Sequence, residues 1–115
     1  MATKNEIATK VLQKLGVIHA DSTADNDDLS LITGKYDSFY ANLKAQDLVS
    51  WGSGDDIPET HVIPIVGLLS RECLEDFTAS PMIAQMLIMD EERYMNQLKT
   101  LEYQYYVPTN EAEFF

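Results

Sequence analysis

Apolar residues recur every three or four positions near the start of the chain: Ile7, Ala8, Val11, Leu12 and Leu15 share one face, with Lys10, Gln13 and Lys14 opposite. That period predicts an amphipathic helix. Thr3 and Glu6 have the spacing of a capping box, and Gly16 supplies a left-handed stop, so the first helix is expected over residues 4–15. The polar run 19–28 is rich in Asp and Asn. It reads as a loop whose acids suit the positive N-terminal end of the helix that follows. Leu29, Ile32, Tyr36, Phe39, Tyr40 and Leu43 mark the stripe of a second helix over about residues 27–46. Gly34 is a weak point within it.

Residues 48–51 are short, apolar and partly β-branched, and they lead into a glycine-rich turn at 52–56, so an extended segment or a small hairpin arm is expected there. A third helix is expected over about residues 59–77. Pro64 requires it either to start late or to kink near Ile63. Residues 63–69 are apolar on nearly every side, the pattern of a central, buried helix. Ser80 and Pro81 together form a strong helix start, an N-cap followed by the favoured first residue. Ile83, Leu87, Tyr94, Leu98, Leu101 and Tyr105 then hold one stripe for about 25 residues, roughly 37 Å at 1.5 Å per residue. Pro108 is expected to end this helix before Thr109 and leave an extended tail. The fold class predicted is mainly α: a small four-helix bundle-like domain over residues 1–105, with a long C-terminal helix and an extended C-terminal docking tail over residues 106–115.

A length of 115 residues with 45% hydrophobic and 23% charged residues describes one foldable domain with one core. The formal charge of −11, from 19 acidic and eight basic residues, argues against a binder of the DNA backbone, which needs clustered Lys and Arg. It fits a solvated surface, a nucleic-acid mimic, or a channel wall past which DNA slides. The single cysteine, Cys73, lies in an apolar run and reads as a core residue rather than a reactive thiol. No run of apolar residues is long enough to span a bilayer, and no signal-peptide pattern opens the chain, which predicts a product made in the cytoplasm with no membrane association.

Catalytic chemistry is not indicated. His19 and His61 stand in different segments without an acidic partner at helical ligand spacing, so neither a metal site nor another cofactor is expected. Phosphate-loop, dinucleotide and serine-hydrolase motifs are absent from the sequence. The acids of 21–28 lack the glycine and the terminal glutamate of a calcium loop. Met82, Met86 and Met89 fall on one side of the last helix and read as core or subunit interface, with a peptide-binding groove as the sharper alternative. Tyr103, Tyr105, Tyr106, Phe114 and Phe115 concentrate aromatic surface at the C-terminus, either folded back on the domain or docked on a partner. Trp51 is likewise a core plug or an interface anchor.

In order, the chain has an opening helix with a Leu-Gly-Val turn at 15–17, an aromatic second helix and a Trp-containing loop. After these come an Ile-Pro-Glu lead-in at 57–59, an apolar third helix closing in Leu-Glu-Asp-Phe, and a long last helix with a tail. This order resembles the head-to-tail connectors of tailed bacteriophages, particularly the head-completion adaptor, or tail accessory factor, of short-tailed phages. The resemblance implies a non-enzymatic virion protein that assembles as a ring of twelve copies beneath the portal protein. There it completes the head after DNA packaging and offers a platform to a nozzle or tail-tube protein, while DNA passes through the channel without specific binding. It assigns portal docking to Tyr103, Tyr105, Tyr106, Val107, Pro108, Phe114 and Phe115. The loop facing tail components or a neighbouring subunit is assigned to Leu48, Trp51, Asp55 and Asp56. The alternative is an acidic regulator or DNA mimic that binds a host protein, and an enzyme ranks last.

Overall fold

The computed structural model describes residues 2–19, 22–51 and 56–114, the stretch from 103 onward by its backbone alone. The described residues form four α-helices: α1 (Lys4–Lys14), α2 (Asn26–Ala45), α3 (Val62–Glu72) and α4 (Pro81–Phe114). Among the described residues there is no strand. An isolated bridge joins Ala2 and Ile57, whose amides and carbonyls pair at 2.8 and 3.1 Å. The bundle-like, mainly α fold expected from periodicity is the fold observed.

Local signals set the helix ends. The Thr3 hydroxyl accepts from the Glu6 amide at 3.2 Å and the Glu6 carboxylate accepts from the Thr3 amide at 3.1 Å, closing the capping box. At the other end Gly16 adopts φ +80°, which lets the Val17 amide reach back to the Leu12 carbonyl and the Gly16 amide to Gln13. Asp25 caps α2 by accepting from the Asp27 amide, so part of the acidic run serves that helix start. Asp47 takes φ 58° at the end of α2, where the Leu48 amide returns to the Leu43 carbonyl. Ser80 accepts from the Ile83 amide to open α4.

Pro64 resolves as a late start. Residues Glu59–His61 form a single 3-10 turn, α3 begins at Val62, and Pro64 stands in its first turn, where an amide hydrogen has no helical partner to lose. A second 3-10 turn, Cys73–Glu75, ends the helix. The expected helix over 59–77 is thus three pieces. Residues 48–51 and Asp56 take no regular structure, and residues 52–55 of the expected arm lie outside the described residues.

The expectation of an extended tail is corrected: α4 continues through Pro108 to Phe114. Proline deletes one backbone hydrogen bond and crowds the preceding turn, a local penalty that leaves the bonds on either side intact. The boundary placed between 105 and 106 therefore falls within one helix. At 34 residues α4 is roughly 50 Å long at 1.5 Å per residue, and it accounts for the long dimension of the 51 × 27 × 25 Å molecule.

α3 is the centre of the packing, flanked by α1 and α4, while α2 packs mainly on α1. Its residues from Pro64 to Ser70 are all buried. The core joins Ile7, Val11 and Leu12 of α1, Ile32, Tyr36 and Leu43 of α2, Ile65 and Leu69 of α3, and Leu87, Tyr94 and Leu98 of α4. Cys73 belongs to this core with no exposed surface. Burial pushes its thiol up from 9.0 to about 11, against the lowering influence of Lys35. The folded state therefore holds the thiol proton more tightly than the unfolded chain does. The stabilisation is complete below pH 9 and is lost as pH rises through 11, a change of about 2–3 kcal/mol. Urea titrations of wild type and Cys73→Ala across pH 8–11 are expected to converge as pH rises, and parallel curves would count against this account.

Gly34 has no role in this packing. A Cβ built there meets nothing among the described residues within 4 Å. Gly34→Ala is therefore expected to raise stability by about 0.5–1 kcal/mol, the cost of glycine in a helix interior, measured as an increase in the urea midpoint.

Candidate functional site

Two of the polar side chains that the fold buries deepest, His61 and Glu102, come from separated segments and meet. His61, on the 3-10 turn before α3, has no exposed surface. Its Nε2 lies 2.7 Å from Oε2 of Glu102 on α4, and its Nδ1 lies 3.0 Å from the hydroxyl of Thr60. Ser50 donates to the same Glu102 oxygen at 3.2 Å. Glu102 Oε1 has no hydrogen-bond partner among the described residues.

An aromatic chain continues this knot toward α2. The Trp51 ring meets His61 edge-on at 5.3 Å between centroids, its Nε1 donates to the Tyr36 hydroxyl at 3.2 Å, and its carbonyl accepts from the Tyr40 hydroxyl at 2.6 Å. Trp51, expected to be either a plug or an anchor, is a plug: it is 6% exposed, and its indole N–H and its carbonyl are both hydrogen-bonded inside the domain. Leu48 is buried as well. The expectation that Leu48 and Trp51 present an interface is corrected accordingly, because the α2 aromatics and His61 offer Trp51 both apolar contact and hydrogen-bond partners. Asp56 is exposed, and Asp55 lies outside the described residues.

A carboxylate, an imidazole and a hydroxyl in line form the skeleton of a nucleophilic site. Such a site also requires a cleft that admits substrate and donors for a developing oxyanion. His61 is closed off by Trp51 and Glu102, and two surface grooves found on the molecule are lined by other residues. The knot acts as a tie. It fastens the segment 48–51 and the turn before α3 to the middle of α4, so that the long helix leaves the domain in one direction.

The surface offers a different kind of feature. Met82, Met86, Ile88 and Met89 on α4 are 54–73% exposed. Sequence periodicity allowed these methionines to be core or interface; they are not core, because α3 takes the neighbouring stripe of Leu87, Tyr94 and Leu98. No residue from 77 to 89 is charged, in a chain of net charge −11. Beside this ridge lies a groove of about 250 Å³ whose wall is Tyr94, with Lys14 Nζ 5.6 Å and Arg93 Cζ 5.1 Å from its ring centroid. A larger groove of about 580 Å³ runs along α2, with Gly34 among its lining residues.

The residues expected to dock on a partner lie beyond this description. The side chains of Tyr103, Tyr105, Tyr106, Val107, Pro108 and Phe114 are outside the described residues, although their backbone belongs to α4, and Phe115 is outside altogether. Among the described residues no group of three or more His, Cys, Asp or Glu side chains is placed to hold a metal ion, and no helix is long and apolar enough to cross a membrane. Sequence reasoning missed the His61 and Glu102 pair, which is 41 residues apart. The signal was an acid in the apolar register Tyr94, Leu98, Glu102, four residues apart at each step. No protein-family model, curated protein or solved structure matches the chain.

Proposed function

We propose that this chain is a structural assembly protein that works through its surfaces rather than through chemistry, of the head-to-tail connector kind its sequence resembles. In this reading it forms a ring beneath the portal of a tailed phage, completes the packaged head and presents a platform to the tail. The observation that carries it is the exposed ridge of Met82, Met86, Ile88 and Met89 on a helix that spans the molecule. Clustered apolar side chains on a helix face are a liability for a protein that functions alone and an asset for one that docks. The charge of −11 supports the same reading, since a channel wall of this sign does not retain DNA.

The acidic-regulator alternative has less to draw on. Its acids would form one exposed face, whereas Asp25 caps α2, Asp27 and Asp28 occupy the first turn of that helix, and Asp76 pairs with Lys35. The connector reading is tested by co-sedimentation with the portal ring encoded alongside this chain, using the full chain and a version ending at Val107. The full chain is expected to bind saturably and the shortened one to lose most of that binding. Failure of the full chain to bind overturns the reading.

A further inference from the structure

We propose that Met82, Met86 and Met89 form a surface site for a soft monovalent metal ion, copper(I), held by their three thioether sulfurs. At 3.6 residues per turn the three positions fall within about 60° of one another around α4, so their side chains leave the helix on one face. Helix neighbours three or four residues apart stand about 5–6 Å apart at Cβ, and each methionine has three rotatable bonds. The sulfurs can therefore converge on one ion above Met86 with no change of backbone. All three residues are more than half exposed, which leaves them free to turn toward an ion.

Donor chemistry selects the ion. Zinc, calcium and magnesium take imidazole, thiolate or oxygen ligands, whereas the neutral, polarisable thioether suits copper(I). Three of the chain's five methionines stand on this one face, while the other exposed large apolar side chains among the described residues, Val17, Leu31, Ile63 and Ile88, are aliphatic. Leucine would supply the same apolarity and favours the helix as well, so the clustering is of sulfur. The local field also favours a cation. Asp90, Glu91 and Glu92 follow the stretch directly, in a chain of net charge −11. Arg93, the cation on the same face, donates to Asp90 at 3.1 Å and lies 5.1 Å from the Tyr94 ring centroid, and Lys14 lies over that ring too, so both are engaged elsewhere. Met86, the middle donor, stands beyond the first turn of α4, where the positive helix end no longer opposes a cation. This inference does not rest on the connector reading.

The test is an NMR titration of the full chain, its methionine methyl groups isotope-labelled, with silver(I) as a redox-inert stand-in for copper(I) in chloride-free buffer. A single equivalent is expected to saturate the shifts of the Met82, Met86 and Met89 methyl signals and to leave in place that of Met95, which packs against the core. Copper(I), kept reduced by ascorbate without oxygen, is expected to move the same signals, and zinc(II) none of them. Met82→Leu, Met86→Leu and Met89→Leu are each expected to weaken silver binding roughly tenfold, and the triple variant to lose it, with an unchanged melting temperature because leucine keeps the size and apolarity of the side chain. Cys73→Ala is expected to leave binding unchanged, since that thiol is buried. No saturable shift up to millimolar silver, equal shifts at every methionine, zinc shifts as large as those of silver, binding that survives the triple change, or binding lost with Cys73→Ala would each overturn the inference. Failure to bind the portal would sink the connector reading alone, and failure to bind silver would sink this inference alone.

Discussion

Gly67→Ala is expected to destabilise the protein by about 2–3 kcal/mol and to lower its melting temperature by roughly 10 °C, although alanine is the better helix former by about 1 kcal/mol. A Cβ on Gly67 falls 2.4–2.6 Å from three atoms of the Tyr94 ring, well inside contact distance. The ring has little room to withdraw: it is 6% exposed and flanked by Lys14 and Arg93. Overpacking therefore outweighs propensity. A double-mutant cycle by thermal denaturation checks this. Gly67→Ala combined with Tyr94→Ala should cost less than the sum of the two single changes, because the clash is gone. A Gly67→Ala protein that melts above wild type would show that the α3 and α4 crossing does not depend on this contact.

The second large effect is expected at the buried knot. Glu102→Ala leaves the fully buried His61 without the carboxylate at its Nε2, while the exposed Ser50 hydroxyl turns to solvent. Removing one member of such a pair costs about 3–5 kcal/mol. Replacing both members by apolar residues, His61→Leu with Glu102→Leu, removes the unsatisfied group along with the interaction and should recover most of the loss. Urea denaturation of the two single variants and the double variant distinguishes these outcomes. A double variant as unstable as the sum of the singles would mean that the knot stabilises by packing alone. With Gly34→Ala expected to stabilise, the three positions separate helix propensity from contact and from buried polarity.

These expectations also show what was legible along the chain. Helix starts were readable because their determinants lie within three residues of each other: Thr3 with Glu6, and Ser80 with Pro81. The stripe of α2 was readable for the same reason, as Ile32, Tyr36 and Leu43 turn out to be buried. Long-range pairing was not. His61 looked isolated because its acid is 41 residues away, brought close only when α3 and α4 pack. Met82, Met86 and Met89 belong to one of two apolar stripes on α4, and periodicity cannot say which stripe α3 will take. Pro108 was read as a stop because the rule weighs the lost hydrogen bond, and the helical backbone through Phe114 shows that loss being absorbed.

In the proposed reading the ridge and the long helix are parts of one device for assembly. The fold ties α4 to the domain through the Gly67–Tyr94 contact and the Glu102 knot, and in the proposed reading its exposed face is what other chains would meet. The most direct measurement of that claim is the abundance of this protein in purified, infectious particles relative to their portal protein, by quantitative mass spectrometry against labelled peptide standards. The account predicts a ratio of about one copy per portal subunit, as a ring matched to the portal by symmetry requires. Absence of the protein from the particle, with the portal readily detected, would contradict it.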